Sequence, residues 1–337
     1  MSWRRACARA ACLVLLAGPA AAQESAPVPL GQIRTAQGLV QHPGADGAPA
    51  PVRGARVVLH RVGTDHAGPL DSVLTDARGA FRFRYTTTGS PDAVYFASTT
   101  YDGIAYFTSP FQAQTVASPD GDIMVFDTAT TGITLHLQGR HLVIGAPGAN
   151  GVRDIAEVWD LGNDSTKTLV ARDSATPLWT TQLPAGAQSP TVSGGDVAPA
   201  AVQFVGNELR LFAPVSPGVR QLAVSFGMPA SAFPLSIPMG NGVGVLELLL
   251  EEASATPVMP GLAQQSSVSS QGRTFKRYLA QDVPAGAVLR VEAGGGGASG
   301  SRTRFIAGMV FAIAVVMAFA LVASLVKRRP GPPQPQA

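Results

Sequence analysis

The chain has 337 residues, of which 46% are hydrophobic and only 14% charged, and its 37 glycines and 27 prolines argue against a helical bundle while the apolar share excludes a disordered chain. The formal net charge of +3 comes from the two ends: residues 1–22 and 305–337 hold six basic residues and no acidic one, which leaves 19 of the 25 bases against all 22 acids between them. Nucleic acid is therefore not an expected partner.

Residues 1–22 predict a secretory signal peptide. Three arginines within the first nine residues are followed by an apolar run, Ala10–Gly18, and by small residues before Gln23. The apolar run is too short to cross a bilayer. Both cysteines, Cys7 and Cys12, lie in this segment outside any lipoprotein-type box. The mature protein is therefore expected to have no disulfide, no thiolate nucleophile and no cysteine-bound zinc.

Residues 29–125 predict a first β-sandwich. The segment Arg53–Val62 alternates apolar and polar residues, and Ala80–Tyr85 places three aromatic residues on one face and two arginines on the other. Between them, Asp76 can accept hydrogen bonds from the backbone that follows, and Gly79 can take the positive φ of a bulged hairpin turn. Strand alternation with turn signals of this kind is typical of an all-β fold.

Two segments carry a resemblance to a known family. Gly54–Leu59, followed by Leu-Thr-Asp-Ala-Arg-Gly-Ala-Phe-Arg-Phe over Leu74–Phe83, resembles a carboxypeptidase regulatory-like domain, which is a transthyretin-like sandwich. The resemblance covers about residues 29–125. It implies a seven-stranded Greek-key sandwich that supports or recognises other molecules and is not itself catalytic. The long connection His60–Val73 departs from the family pattern.

Residues 130–293 predict a second β region. The candidate strands are Ile133–Ile144, Leu169–Ala171, Ala201–Phe212 with a turn at Gly206-Asn207, Gln221–Phe226 and Gly242–Leu250. The phrase Pro-Ala-Gly-Ala occurs at 184–187 and again at 284–287, a spacing near the size of one immunoglobulin-like sandwich. Two interpretations stay open. Either there are two modules, 130–228 and 229–293, each with Pro-Ala-Gly as a turn before a strand, or the repeat is a coincidence of abundant residue types.

The C-terminal part predicts a membrane anchor. Residues 294–304 form a Gly/Ser linker, and Phe305–Val326 is a run of 22 residues without a charge. At about 1.5 Å per residue this run would span roughly 33 Å, enough to cross a bilayer core of ~30 Å. Lys327–Arg329 follow at once, which places the Pro-rich tail 327–337 in the cytoplasm. With the signal peptide, this predicts a single-pass protein whose bulk is extracytoplasmic, in the periplasm or at the cell surface.

An alternative for the same region is a cleaved signal. A glycine-rich motif, an apolar helix and a basic cluster also resemble the C-terminal sorting signals that rhomboid-type proteases cut. The eight residues after Arg329 are more than such signals usually have.

The polar side chains give few signs of chemistry. The five histidines, none in a metallopeptidase motif, are His42, His60, His66, His136 and His141. His60, His66 and Asp65 would provide three ligands of a weak metal site. The alternative is that they lie in a solvated loop. His136 and His141 are five apart and are expected on opposite faces of a regular strand.

Two groups of acidic residues are further candidates. Asp120, Asp122 and Asp127 could ligate calcium, although acidic turns are ordinary in sandwiches. Glu251 and Glu252 are expected at a solvated strand end. We therefore predict no catalytic, cofactor or metal residues.

Aromatic residues between 95 and 111 are the remaining candidates: Tyr95, Phe96, Tyr101, Tyr106, Phe107 and Phe111, with Asp92 and Asp102 nearby. Filling the core of the first sandwich is the favoured interpretation, and stacking on sugar rings or anchoring a protein partner is the alternative.

Together these features predict an all-β protein of two or three transthyretin-like or immunoglobulin-like sandwiches with one C-terminal transmembrane helix, a bacterial-type envelope protein that contacts the bilayer through Phe305–Val326. We expect it to be non-catalytic and to bind or scaffold an envelope protein partner. A surface-tethered glycan-binding module and a hydrolase with an unrecognised site are the alternatives.

Overall fold

The computed structural model describes residues 30–44, 47–270 and 272–293. These residues form 24 β-strands and two single-turn 3₁₀ helices, Pro199–Ala201 and Ala230–Ala232, so the predicted all-β class is confirmed. Within the described ranges no helix is long and apolar enough to cross a membrane. The predicted signal peptide, 1–22, the predicted span, 305–326, and the flanking linker and tail, 294–304 and 327–337, lie outside these ranges.

The described chain divides into two compact units. Unit 1 contains residues 30–100 and 105–124, and unit 2 contains residues 101–104 and 125–293. The first nine strands are β1 (Ile33–Pro43), β2 (Pro49–Pro51), β3 (Arg56–Val62), β4 (Ala67–Leu74), β5 (Ala80–Thr86), β6 (Val94–Tyr101), β7 (Ile104–Phe107), β8 (Thr115–Val116) and β9 (Ile123–Met124).

The first nine strands form two sheets. One has the order β2-β1-β5, with β8 and β9 parallel to β1, and the other has the order β4-β3-β6-β7. Strand β5 buries its three aromatic residues and exposes Arg82 and Arg84, as its alternation predicts. The rings of Tyr85 and Tyr95, one from each sheet, lie 5.1 Å apart between centroids. The aromatic face of β5 therefore packs against the four-stranded sheet in a two-layer core.

The turn before β5 has the predicted hydrogen bonds and backbone conformation, but it does not connect two paired strands. The Asp76 carboxylate accepts hydrogen bonds from the N–H groups of Arg78 and Ala80 at 2.8 and 2.9 Å, and Gly79 has a φ of 74°. The turn is not a hairpin, because it joins β4 in one sheet to β5 in the other. The reason lies in the long connection His60–Val73, whose second half forms most of β4 and pairs with β3.

Fifteen further strands follow: β10 (Thr128–Ala129), β11 (His136–Pro147), β12 (Val152–Asn163), β13 (Thr168–Leu169), β14 (Trp179–Gln182), β15 (Gln188–Gly195), β16 (Val202–Val205), β17 (Glu208–Leu211), β18 (Gly218–Pro229), β19 (Leu235–Pro238), β20 (Val243–Leu250), β21 (Thr256–Val258), β22 (Ala263–Ser270), β23 (Arg273–Val283) and β24 (Val288–Glu292). The predicted turn at Gly206-Asn207 is confirmed, because β16 and β17 form a hairpin around it.

A seven-stranded sheet, in the order β15-β18-β12-β11-β20-β23-β22, forms one layer of unit 2. The three-stranded sheets β16-β17-β14 and β19-β24-β21 both contribute side chains to the core that covers one of its faces. That core is built around Trp159, which is fully buried, and includes Leu222, Leu248 and Leu289. A smaller apolar cluster, with Val158 and Phe275, lies on the opposite face of the large sheet.

The division of this region into modules 130–228 and 229–293 is wrong. Strand β11 from the first half and β20 from the second pair in parallel in the middle of the large sheet, and both halves supply the same core. Each Pro-Ala-Gly-Ala phrase does form the same turn, with the N–H of Ala187 on the carbonyl of Pro184 at 3.1 Å and the N–H of Ala287 on that of Pro284 at 3.2 Å. The strands that follow, β15 and β24, belong to different sheets, so a turn is repeated and not a module.

Candidate functional site

The aromatic residues of unit 1 separate into a buried and an outward set. Tyr95, Tyr106 and Phe111 are buried, which confirms core filling for these three. Phe96 and Phe107 follow Tyr95 and Tyr106 directly, and strand alternation turns them to the opposite face of the sheet. The outward pair is therefore free of the core and available for contact with other molecules.

The outward rings form a continuous feature, which we call the aromatic stripe: His60 of β3, Phe96 of β6 and Phe107 of β7. The rings of His60 and Phe96 are stacked at 5.0 Å and 15°, and Phe107 meets Phe96 edge-on at 6.0 Å. Phe107 is 59% exposed. Val62 and Val94, opposite each other in register, extend the apolar surface with 43% and 41% exposure. An outward sheet face is normally polar, so this surface is unusual.

His60 takes part in the stripe as an uncharged ring. Burial lowers its pKa below the ordinary value of 6.5, which favours the neutral imidazole at physiological pH. Its Nε2 atom lies 2.8 Å from the hydroxyl of Ser98. The ring is thus held flat against Phe96.

The metal site considered for His60, His66 and Asp65 does not form. The Asp65 carboxylate binds the Arg61 guanidinium at 2.6 Å and accepts a hydrogen bond from the Ser90 hydroxyl at 2.8 Å. The hydrogen bond from Arg61 holds the pKa of Asp65 well below its usual range. Across the described residues there is no group of three or more potential metal ligands.

Three of the acidic candidates, Asp122, Glu251 and Glu252, also have structural partners. One oxygen of Asp122 accepts hydrogen bonds from the Leu39 N–H at 2.8 Å and the Ser118 hydroxyl at 2.6 Å, so it fixes a turn. The expectation that Glu251 and Glu252 mark a solvated strand end is wrong. Glu251 forms two 2.6 Å hydrogen bonds with Arg273, and Glu252 forms an ion pair with buried Arg153.

His136 and His141 lie on the same face of the seven-stranded sheet, contrary to the prediction of opposite faces. Their partners on β12 are Gly162 and Val158, which are four residues apart and so share a face. A register shift between Leu137 and Gly139 adds one residue to β11 and cancels the expected alternation.

His141 is the centre of a row of polar side chains, the polar ladder, which crosses five adjacent strands. Its members are Gln221 of β18, Asp160 of β12, His141 of β11, Glu247 of β20 and Arg277 of β23. Nδ1 of His141 lies 2.9 Å from Glu247 and Nε2 lies 3.2 Å from Asp160. Arg277 donates to Glu247 at 2.6 Å, and Gln221 donates to Asp160 at 2.9 Å.

The ladder fixes the charge of its histidine. Burial alone would lower the pKa of His141, but the hydrogen bonds to Asp160 and Glu247 raise it to about 9. The ring is therefore a cation at neutral pH, and it neutralises two carboxylates together with Arg277. A histidine that is already protonated cannot act as a general base at that pH.

The third feature is a cleft of about 1170 Å³ in unit 2, which we call the end cleft. It is lined by all of β14, by the segment before and at the start of β11, by the turn that leads into β20 and by the turn that follows β23. Its polar lining includes His136, Gln138, Asp164, Asn241 and Asp282, and its apolar lining includes Leu135, Leu137, Trp179, Met239 and Val283.

Comparisons with known proteins do not assign a family. No family model matches the chain, and no curated protein matches it. Among solved structures, the chain is similar to the major pilin subunit BcpA of Bacillus cereus at 11% sequence identity, covering 76% of this chain and 87% of the pilin chain. The TM-score is 0.20, so the likeness supports no conclusion about either fold or function.

Proposed function

We propose that the protein is a non-catalytic, membrane-anchored envelope protein whose β-sandwich ectodomain binds a protein partner of an envelope complex. The aromatic stripe of unit 1 is the observation that carries this proposal. Exposed apolar surface of this kind marks interaction sites, and aromatic side chains supply a large part of the binding energy at protein interfaces.

The sequence supports the anchoring part of the proposal. A signal peptide at 1–22 would export the β region, and the span at 305–326 with Lys327–Arg329 behind it would retain it at the membrane. The proposed topology has the N-terminal bulk in the periplasm or at the cell surface and the C-terminus in the cytoplasm.

We also propose that residues 29–125 are a transthyretin-like sandwich of the carboxypeptidase regulatory-like type. The two-layer packing of unit 1 and the Asp76–Gly79 turn support this assignment. Members of that family support or recognise other molecules, which agrees with a binding role for the stripe.

Site-specific photocross-linking tests the proposal. The full chain, in its native membrane, carries p-benzoylphenylalanine in place of Phe107 or, as the control, in place of Arg82, which is exposed on β5 in the other sheet. We expect one defined protein neighbour to be captured from position 107, to be absent from position 82, and to be lost when Val94→Lys is added. Equal capture from both positions, or none from position 107, would contradict the proposal.

A glycan ligand is the second candidate, and the 59% exposure of the Phe107 ring favours it. Sugar rings pack against exposed aromatic rings. Retention of the full chain on polysaccharide or peptidoglycan, lost in Phe107→Ser and kept in Arg82→Ser, would select this candidate over the protein partner.

A further inference from the structure

The end cleft lies between the two small sheets of unit 2. The Trp179 ring of β14 meets the Trp159 ring of β12 at 5.8 Å, while the carbonyl of Pro238, at the end of β19, accepts a hydrogen bond from Arg140 of β11 at 2.6 Å. Trp159 and Arg140 face each other on neighbouring strands of the large sheet. Strand β14 and the end of β19 therefore lie side by side above that sheet, and the cleft is between them.

One wall of the cleft is a strand edge. Strand β14 pairs with β17 on one side, and no strand of the described residues pairs with its other side. All four residues of β14 line the cleft. Its side chains alternate, with Trp179 and Thr181 half-buried and Thr180 and Gln182 exposed. A further strand added there would follow the same alternation.

The turn Gly240-Asn241-Gly242 also lines the cleft. A side-chain carbon built on Gly240 would meet no atom within 4 Å, so this residue borders open space, whereas one built on Gly242 would meet the Val283 carbonyl oxygen at 3.0 Å. The cleft volume, about 1170 Å³, exceeds the roughly 300–1,000 Å³ typical of small-molecule pockets and suits an extended ligand.

The lining indicates which residues such a ligand would carry. Leu135, Leu137 and Trp179 are partly buried against the core and form an apolar floor. The titratable residues of the lining are His136, Asp164 and Asp282, two carboxylates against one histidine that lies 3.6 Å from Asp164. A ligand with alternating apolar groups and a basic group at the rim fits this arrangement.

We propose that the end cleft binds an extended polypeptide segment of a partner protein, which adds to β14 as a further strand. The segment carries apolar side chains at alternate positions, toward Leu135, Leu137 and Trp179, and a lysine or arginine near Asp164 and Asp282. Strand addition of this kind takes its affinity from main-chain hydrogen bonds and its specificity from alternate side chains. Four residues of β14 would pair over roughly 13 Å.

A peptide selection with mapping of the bound site tests the proposal. A displayed library of random eight-residue peptides is selected against the full chain in detergent micelles, and the enriched peptides are then synthesised. Amide hydrogen exchange locates each peptide on the protein. We expect alternating apolar sequences with a basic residue, and slowing of exchange at residues 179–182 by about tenfold or more.

Two variants and one modified peptide complete the design. Asp164→Lys reverses a charge that is 80% exposed and should weaken binding by about tenfold, whereas Glu292→Lys, an equally simple change outside the cleft, should not. N-methylation of the peptide at alternate positions should abolish binding in one register and leave it intact in the other, because only one set of amides faces β14.

Several results would overturn the proposal: no enrichment, protection of residues other than β14, or insensitivity to both N-methylated forms. Competition by a hexasaccharide in place of peptide would assign the cleft to a glycan. The test is independent of the aromatic stripe, because Phe107→Ser should leave peptide binding unchanged and Asp164→Lys should leave cross-linking at position 107 unchanged.

Discussion

The charge of His141 gives a stability prediction that can be worked out from the structure. Its pKa in the folded protein is about 9, against an ordinary value of 6.5. Because each pKa unit is worth about 1.4 kcal/mol, the difference corresponds to roughly 3 kcal/mol. The folded-state pKa is the higher one, so this contribution is fully present below about pH 6.5 and is lost as the pH rises through about 9.

The assay is urea unfolding of the full chain in micelles between pH 6 and pH 10, followed by the fluorescence of Trp159 and Trp179. We expect the free energy of unfolding of unit 2 to fall between pH 6 and pH 10 in both proteins. The fall should be roughly 3 kcal/mol larger in the wild type than in His141→Gln. His60→Gln is the control, since the pKa of His60 is lowered and its removal should leave the dependence between pH 6.5 and 9 unchanged. Identical pH dependence in wild type and His141→Gln would refute the reasoning.

Two further changes test the packing of each unit. Glu157→Ala removes the partner of the buried Arg140 guanidinium and should destabilise unit 2 by roughly 3–5 kcal/mol, whereas the double change Arg140→Met with Glu157→Leu should cost far less; equal losses in urea unfolding would contradict this. Gly38→Ala would place a carbon 2.1 Å from the Gly121 carbonyl oxygen, so it should lower the melting temperature of unit 1 by several degrees. The control is Gly194→Ala, because the atom nearest to its new side-chain carbon would be 3.8 Å away. An unchanged melting temperature for Gly38→Ala would show that β1 and the Gly121 loop do not approach so closely.

The strands with one buried and one solvent-exposed face could be predicted from the sequence. In Ala80–Tyr85 the aromatic residues are buried and the arginines exposed, so the alternation is visible in the residues themselves. The same alternation separates Phe96 and Phe107 from the buried tyrosines beside them. The stripe was therefore within reach of sequence reasoning, although its ring stacking depends on the pairing of β3 with β6, which lies more than 30 residues further along the chain.

One interior strand of the large sheet of unit 2 could not be predicted in this way. Strand β12 is buried on both faces, and its charged residues Arg153, Glu157 and Asp160 interrupt the apolar pattern that would identify it. Their partners are distant in the sequence, such as Glu252 for Arg153, 99 residues further along. Since such partners are not adjacent in sequence, the segment is missing from the strands predicted above.

The polar ladder was missed for a related reason. The five-residue spacing of His136 and His141 suggests opposite faces, and only the register shift near Gln138 reverses this. A bulge of one residue leaves no clear sequence signal, because it depends on the pairing of two strands. The partners of His141, Asp160 and Glu247, come from β12 and β20, which meet β11 only in the folded sheet.

The proposed topology is tested most directly by determining on which side of the membrane the β region lies. Cys7 and Cys12 are the two cysteines of the sequence, and both would be removed with the predicted signal peptide. Single cysteines can therefore be introduced, as Gln264→Cys on the exposed strand β22 and as Gln334→Cys in the tail. A membrane-impermeant maleimide is then added to intact spheroplasts. We predict labelling at position 264 before lysis and at position 334 only after it. The reverse pattern would contradict the proposed topology and, with it, an envelope partner.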